Sequence, residues 1–365
     1  MQLFGENFQA LRVNLLSRFF RDSAPIRKLR STPAKLMSEC GALARSHSDP
    51  VSALRDFHER NLLRIVDLYK TDLDPIETAF QLADLRKTLG IWAFRLASRE
   101  FTGDYALYFG GSTVTGVHTF LTDFDVVVVP HGEKDREAAK NVHHLMTRIL
   151  EDINIETDWI MPARFRSFLF EDLNAQNSWQ LNDSAYRFLM DMQIQEVRGD
   201  IGLEIFRQKI SKIREDLIYS NPGPMLQICK TAFDKAIDPE NTAHRPLNLK
   251  NDILRLLHYT LYASRAKLGI RSSSFWEVLS SLQDEGILSA EEKEQLVSVL
   301  RSTLALRHLI GVAIHDSEDS VTLTDEIAEK LVRQLKLEGK VELLDEIHDF
   351  RQTLIGICQR IFERL

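Results

Sequence analysis

Residues 105–129, YALYFGGSTVTGVHTFLTDFDVVVV, constrain the fold of this chain more than any other stretch. A short apolar run, 106–109, is cut by Gly110-Gly111-Ser112. A second run opens with Asp123-Phe124-Asp125 and continues into four valines. Short apolar runs bounded by turn residues suit sheet strands buried on both faces. Alternate residues of a strand share a face, so Asp123 and Asp125 point the same way, about 7 Å apart. Two like charges that close repel unless a cation lies between them. Hard oxygen ligands suit magnesium, which takes one or two carboxylates and completes its shell with water and phosphate. The paired glycines let the backbone turn sharply and approach a ligand. Amides exposed in such a turn, with the Ser112 hydroxyl beside them, favour phosphate.

The rest of the chain sets this unit among helices. Residues 1–100 have helical periodicity, clearest over 51–69 and 76–100, where Leu82, Leu85, Leu89, Trp92 and Leu96 share a stripe. Polar residues precede Pro33, Pro50 and Pro75, the pattern of a capped first turn. Residues 133–152 form an amphipathic helix, and INIETDWIM (153–161) alternates as a third strand stopped by Pro162. Strand–helix–strand order indicates a small α/β unit over 101–165. Residues 166–240 read as a helical extension, and 238–248 as a linker. Residues 249–365 read as a helical bundle, with Ser289-Ala290-Glu291-Glu292 as a capping box.

Composition narrows the class of partner. At 365 residues the length suits two or three domains, and no window carries the roughly 18 apolar residues of a membrane span. The first 22 residues read as an amphipathic helix packed on the protein rather than a signal or membrane-surface segment. A formal charge of −7 disfavours nucleic-acid backbones and leaves a nucleotide with a protein or small-molecule acceptor. Three widely spaced cysteines point to a reducing, cytoplasmic setting.

Gly110-Gly111-Ser112, ten residues and Asp123-Phe124-Asp125 together resemble the signature of the nucleotidyltransferase superfamily that includes DNA polymerase β. The layout beyond 101–165 resembles the bacterial uridylyltransferases of the PII nitrogen regulator and their shorter relatives. Residues 247–269 and 286–310 are similar to the segments of the helical domain that follows the core in those proteins. Lys250-Asn251-Asp252 lacks the glycine-rich lead of the corresponding motif, and the chain has no room for the regulatory modules, so PII and glutamine sensing are not implied. The resemblance implies an α+β fold: a small mixed-sheet nucleotidyltransferase core, flanked by N-terminal helices and a C-terminal helical bundle. It implies transfer of a nucleoside monophosphate from a nucleoside triphosphate to a protein side chain or small-molecule hydroxyl. Magnesium, with manganese as its substitute, would be held by Asp123, Asp125 and Asp158. Gly110, Gly111 and Ser112 would hold the β- and γ-phosphates, and Asp158 would help deprotonate the acceptor. Glu156, of the same strand parity, is the alternative third acid. A catalytically silent nucleotide- and partner-binding protein of the same fold is the rival reading.

Other polar residues favour plainer roles. Asp191, Arg198 and Asp200 fit a helix cap or salt bridges as well as contact with a base or ribose. Arg164 and Arg166 fit a solvated loop, and His118 a surface loop. His143 and His144 read as structural or exposed, and His315-Asp316 alone is too little for a metal site.

Overall fold

The computed structural model describes residues 33–71, 74–158, 189–238, 246–314, 322–335 and 339–365, the side chain of Asp158 not among them. Three helices come first: α1 (Pro33–Ser46), α2 (Pro50–Thr71) and α3 (Pro75–Ala97). Asp74 caps α3 by accepting from the Ile76 amide at 2.8 Å, with Pro75 in the first turn. The core follows as β1 (Tyr105–Phe109), α4 (Gly111–Thr115), β2 (Phe124–Pro130), α5 (Arg136–Asp152), β3 (Thr157–Asp158) and β4 (Gln193–Arg198). The sheet order is β3-β2-β1-β4, with β2 parallel to β3 and the other pairs antiparallel. The α+β class with a small mixed sheet is therefore what the chain adopts.

The continuous apolar character of β1 and β2 follows from burial on both faces. Tyr105, Leu107 and Phe109 of β1, with Phe124, Val126 and Val128 of β2, join a core with α1, α2, α3 and α5. Ala106, Tyr108, Val127 and Val129 enter a second core with the C-terminal helices. The period of two thus sorts one strand pair between two cores.

Residues 193–198 depart from the helical extension read for 166–240. They form the edge strand β4, paired to β1. A bulge shifts the register between Leu107 and Tyr108, so that Glu196 pairs with Leu107 and Ile194 with Tyr108. The extra residue lets Ile194 and Val197, three apart, both pack against the same core. That spacing imitates a helical stripe. The third strand also begins later than the alternation over 153–161 suggests. Ile153 caps α5, Asn154 has φ +60°, and pairing is confined to Thr157 and Asp158 among the described residues.

The remaining helices are α6 (Leu203–Arg214), α7 (Gly223–Ile237), α8 (Arg255–Leu268), α9 (Phe275–Asp284), α10 (Ala290–Leu309), α11 (Asp325–Leu335) and α12 (Lys340–Arg364). π turns precede α8 at Lys250–Leu254 and follow α10 at Ile310–Ile314. The capping box at Ser289 and Glu292 is formed, and Glu292 also receives Arg360 and Arg364 from α12. Residues 1–32, Arg164, Arg166 and His315-Asp316 lie outside the described residues, as does most of the 238–248 linker.

Candidate active site

The glycine turn and the acid pair are built against each other. The Gly110 amide donates to the Asp125 carbonyl at 3.0 Å, carrying the β1–β2 ladder one step past Phe109. Gly111 then turns with φ +54°. A Cβ on Gly111 would lie 1.6 Å from Asp125 Oδ2, so the carboxylate occupies the space that any other residue would need. Gly111 serves a close approach of backbone to acid, and both its φ and the contact demand glycine there.

Asp123 is half-buried at the mouth of β2, whereas Asp125 is 7% exposed. Asp158 is placed by its backbone. It is the register partner of Asp125 on the parallel strand β3, and the Phe124 amide donates to the Glu156 carbonyl at 3.0 Å. Glu156 is exposed. The chain thus brings Asp123, Asp125 and Asp158 to one end of two adjacent strands. Among the described side chains no cluster of three potential ligands occurs. Two carboxylates on one strand face nevertheless match the protein share of a magnesium shell, and the Asp158 backbone is positioned to bring a third.

The turn preceding β3 is secured from α2. Arg55 donates to the Asp152 carbonyl at 2.7 and 3.0 Å. His58 Nδ1 lies 2.8 Å from the Ile153 carbonyl, and Arg86 donates to His58 Nε2 at 3.2 Å. The carbonyl can only accept, so Nδ1 carries the proton and the ring is neutral. Burial first, then the Arg86 charge, push the His58 pKa down to about 4.

His118 sits differently from the surface-loop expectation: its ring is fully buried. Nδ1 lies 3.0 Å from Ser112 Oγ and 3.2 Å from Thr113 Oγ1. Nε2 is buried with no hydrogen-bond partner. Burial, reinforced by Arg86 and other cations, holds the imidazole well below its ordinary pKa, hence neutral. The ring ties the first turn of α4 to the loop before β2 and fixes the Ser112 hydroxyl.

Asp191 and Arg198 take structural roles, and Asp200 is held through its backbone. Asp191 pairs with the fully buried Arg265 at 2.7 Å and accepts from Tyr262. Arg198 donates to Ser98 Oγ, and the Asp200 amide donates to Asp104. His143 is buried in α5, and His144 beside it is half-buried.

Two cations escaped the sequence reading as site residues. Lys250, in the π turn before α8, and Arg307, near the end of α10, carry charges that interact with Asp123. Lys250 also interacts with Asp125. Burial lowers both groups, Arg307 to about 10, and Asp123 partly offsets it. Neither belongs to a local motif, and each lies well over 100 residues from the acids, so no spacing rule could have joined them. Searched against protein-family models and against curated proteins, the chain finds no match.

Proposed function

We propose that this chain is a divalent-cation-dependent nucleotidyltransferase of the DNA polymerase β-like superfamily. It transfers a nucleoside monophosphate from a nucleoside triphosphate to a protein side chain or small-molecule hydroxyl. The observation that carries the reading is the seating of the Asp125 carboxylate in the space left by Gly111, with Asp123 two residues before it and Asp158 beside it in register. A glycine turn and an acid pair interlocked in this way suit phosphate and a cation at one point. A surface turn at a strand end has no need of that arrangement.

Asp123, Asp125 and Asp158 would hold magnesium, or manganese, which supplies charge neutralisation and orientation for phosphoryl chemistry. Gly110 and Gly111 would admit the triphosphate close to the backbone, and Ser112, fixed by His118, would donate to it. The acceptor oxygen forms a bond to the α-phosphorus, and the bond from that phosphorus to the bridging oxygen breaks, releasing pyrophosphate. The hydroxyl proton passes to a carboxylate, for which Asp158 is the candidate. The buried thiols Cys40, Cys229 and Cys358 accord with a reducing, cytoplasmic setting. Among the described residues no helix is long and apolar enough to cross a membrane.

The test is incubation of the purified chain with each labelled triphosphate, magnesium and a lysate. Labelled acceptor and pyrophosphate are expected from the wild type and not from Asp123→Ala combined with Asp125→Ala. Activity surviving the double substitution would sink the assignment. Tight nucleotide binding without turnover would instead mark a catalytically silent member of the fold.

A further inference from the structure

Strand parity directs the acid pair toward the C-terminal helices. Asp123 and Asp125 share a face of β2 with Val127 and Val129, which pack in the core formed with those helices. The intervening Phe124 and Val126 face the N-terminal side.

The C-terminal helices also bear directly on the hairpin that carries the site. Trp276 Nε1 at the start of α9 donates to the Gly116 carbonyl at 3.3 Å. Gly311, in the π turn after α10, packs so closely that a Cβ there would lie 2.8 Å from Phe120 Cβ. The His308 ring meets Phe120 edge-on at 5.2 Å, and His308 Nε2 lies 3.1 Å from the Pro75 carbonyl at the start of α3. Arg301 pairs with Asp74 at 3.1 Å. The last two turns of α10 are thereby fixed against both α3 and the loop that ends at Asp123.

Arg307 lies in this fixed segment, 1% exposed, and α10 packs against the π turn that carries the half-buried Lys250. Arg255 adds to the positive charge felt at Lys250. Burying a guanidinium is costly unless an anion answers it. Cations beside two carboxylates answer their charge, yet they would also oppose a metal ion at the same acids. A polyanionic ligand removes that conflict, because it adds the negative charge that lets metal and cations coexist.

We propose that Lys250 and Arg307 hold the β- and γ-phosphates of the nucleoside triphosphate, opposite the metal-binding acids. The substrate site is then shared between the α/β core and the C-terminal helical domain. This rests on the nucleotidyltransferase reading and deepens it. These two side chains discriminate triphosphate from monophosphate, and they retain pyrophosphate until it leaves.

Calorimetric titration of the full chain with each of the four triphosphates and its monophosphate, in magnesium, tests the inference. The wild type should bind one triphosphate more tightly than its monophosphate. Lys250→Met should weaken that triphosphate about 10-fold or more, the scale of a charge-assisted phosphate contact, with the monophosphate almost unchanged. Arg307→Lys should act in the same direction, because a point charge replaces a planar fork. Melting temperatures report whether each variant folds; if Arg307→Lys does not, the half-buried Lys250 decides. Absence of any triphosphate binding by the wild type overturns both the reading and the inference. A wild type without triphosphate preference, or variants that keep it in full, overturns the inference alone.

Discussion

At Gly111 the residue is dictated by a neighbour on the next strand: the Asp125 carboxylate fills the volume a methyl group would take. Alanine there meets two penalties at once, a left-handed backbone angle and a contact far below van der Waals distance. Gly111→Ala is therefore expected to displace Asp125 and abolish the proposed nucleotidyl transfer, at a stability loss of about 1–3 kcal/mol. Paired activity and urea-denaturation measurements check this; full activity in the alanine variant would contradict the packing. His118 illustrates what residue identity alone conceals. A histidine in a glycine- and threonine-rich loop reads as exposed, yet its ring is sealed in and engaged with Ser112 and Thr113.

Between elements, close approach and buried charge do the joining. Gly90, in the middle of α3, brings that helix onto Phe109 and Phe124, whose rings lie 4.9 Å apart. An added Cβ would fall 2.7 Å from the Phe124 ring and 2.8 Å from Phe109. The sheet residue between the two acids is thus clamped from behind by a helix. On the other side, Asp191, just before β4, reaches Arg265 in α8, and Arg265 also donates to the Met190 carbonyl at 2.6 Å. Removing the carboxylate leaves a fully buried guanidinium without its counter-charge. Asp191→Asn should cost about 3–5 kcal/mol, measured as a shift in the denaturant midpoint. A change within 0.5 kcal/mol, the ordinary range for surface substitutions, would show that the pair does not join core to helical domain.

For the whole molecule, buried neutral histidines set the response to acid. Burial lowers His58 to about 4 and His308 to about 3, and holds His118 well below its usual value. The unfolded chain takes up these protons below pH 6.5 while the folded chain does not. Stability therefore falls as pH drops from about 6.5 toward 4, by up to about 1.4 kcal/mol per pH unit for each histidine. Glu292 adds a second window. Burial would raise its pKa, but the Ser289 amide, Arg364 and Arg360 bring it to about 2. Its contribution is complete above pH 4.5 and is lost between 4.5 and 2. Melting temperatures from pH 7 to 3 should decline already between 6.5 and 5, and a flat profile there would contradict the burial of these rings.

Most elements were legible because their cause is local. Proline and its polar predecessor start α1, α2 and α3, Ser289 and Glu292 cap α10, and unbroken apolar runs mark β1 and β2. β4 was not legible, because a bulge gives its buried residues a helical spacing. The late start of β3 was hidden because the alternation before Thr157 belongs to the turn that leaves α5. Of the candidate site, Gly110, Gly111, Ser112, Asp123 and Asp125 stand within one stretch, where spacing and strand period relate them. The sequence by itself determined that hairpin and its charge, since a period of two and a glycine turn are properties of neighbouring residues. Only the tertiary structure decided which core each strand face enters, that His118 is buried, and that the charges of Lys250 and Arg307 act on the acids. Those depend on packing between separate elements, which no local pattern encodes.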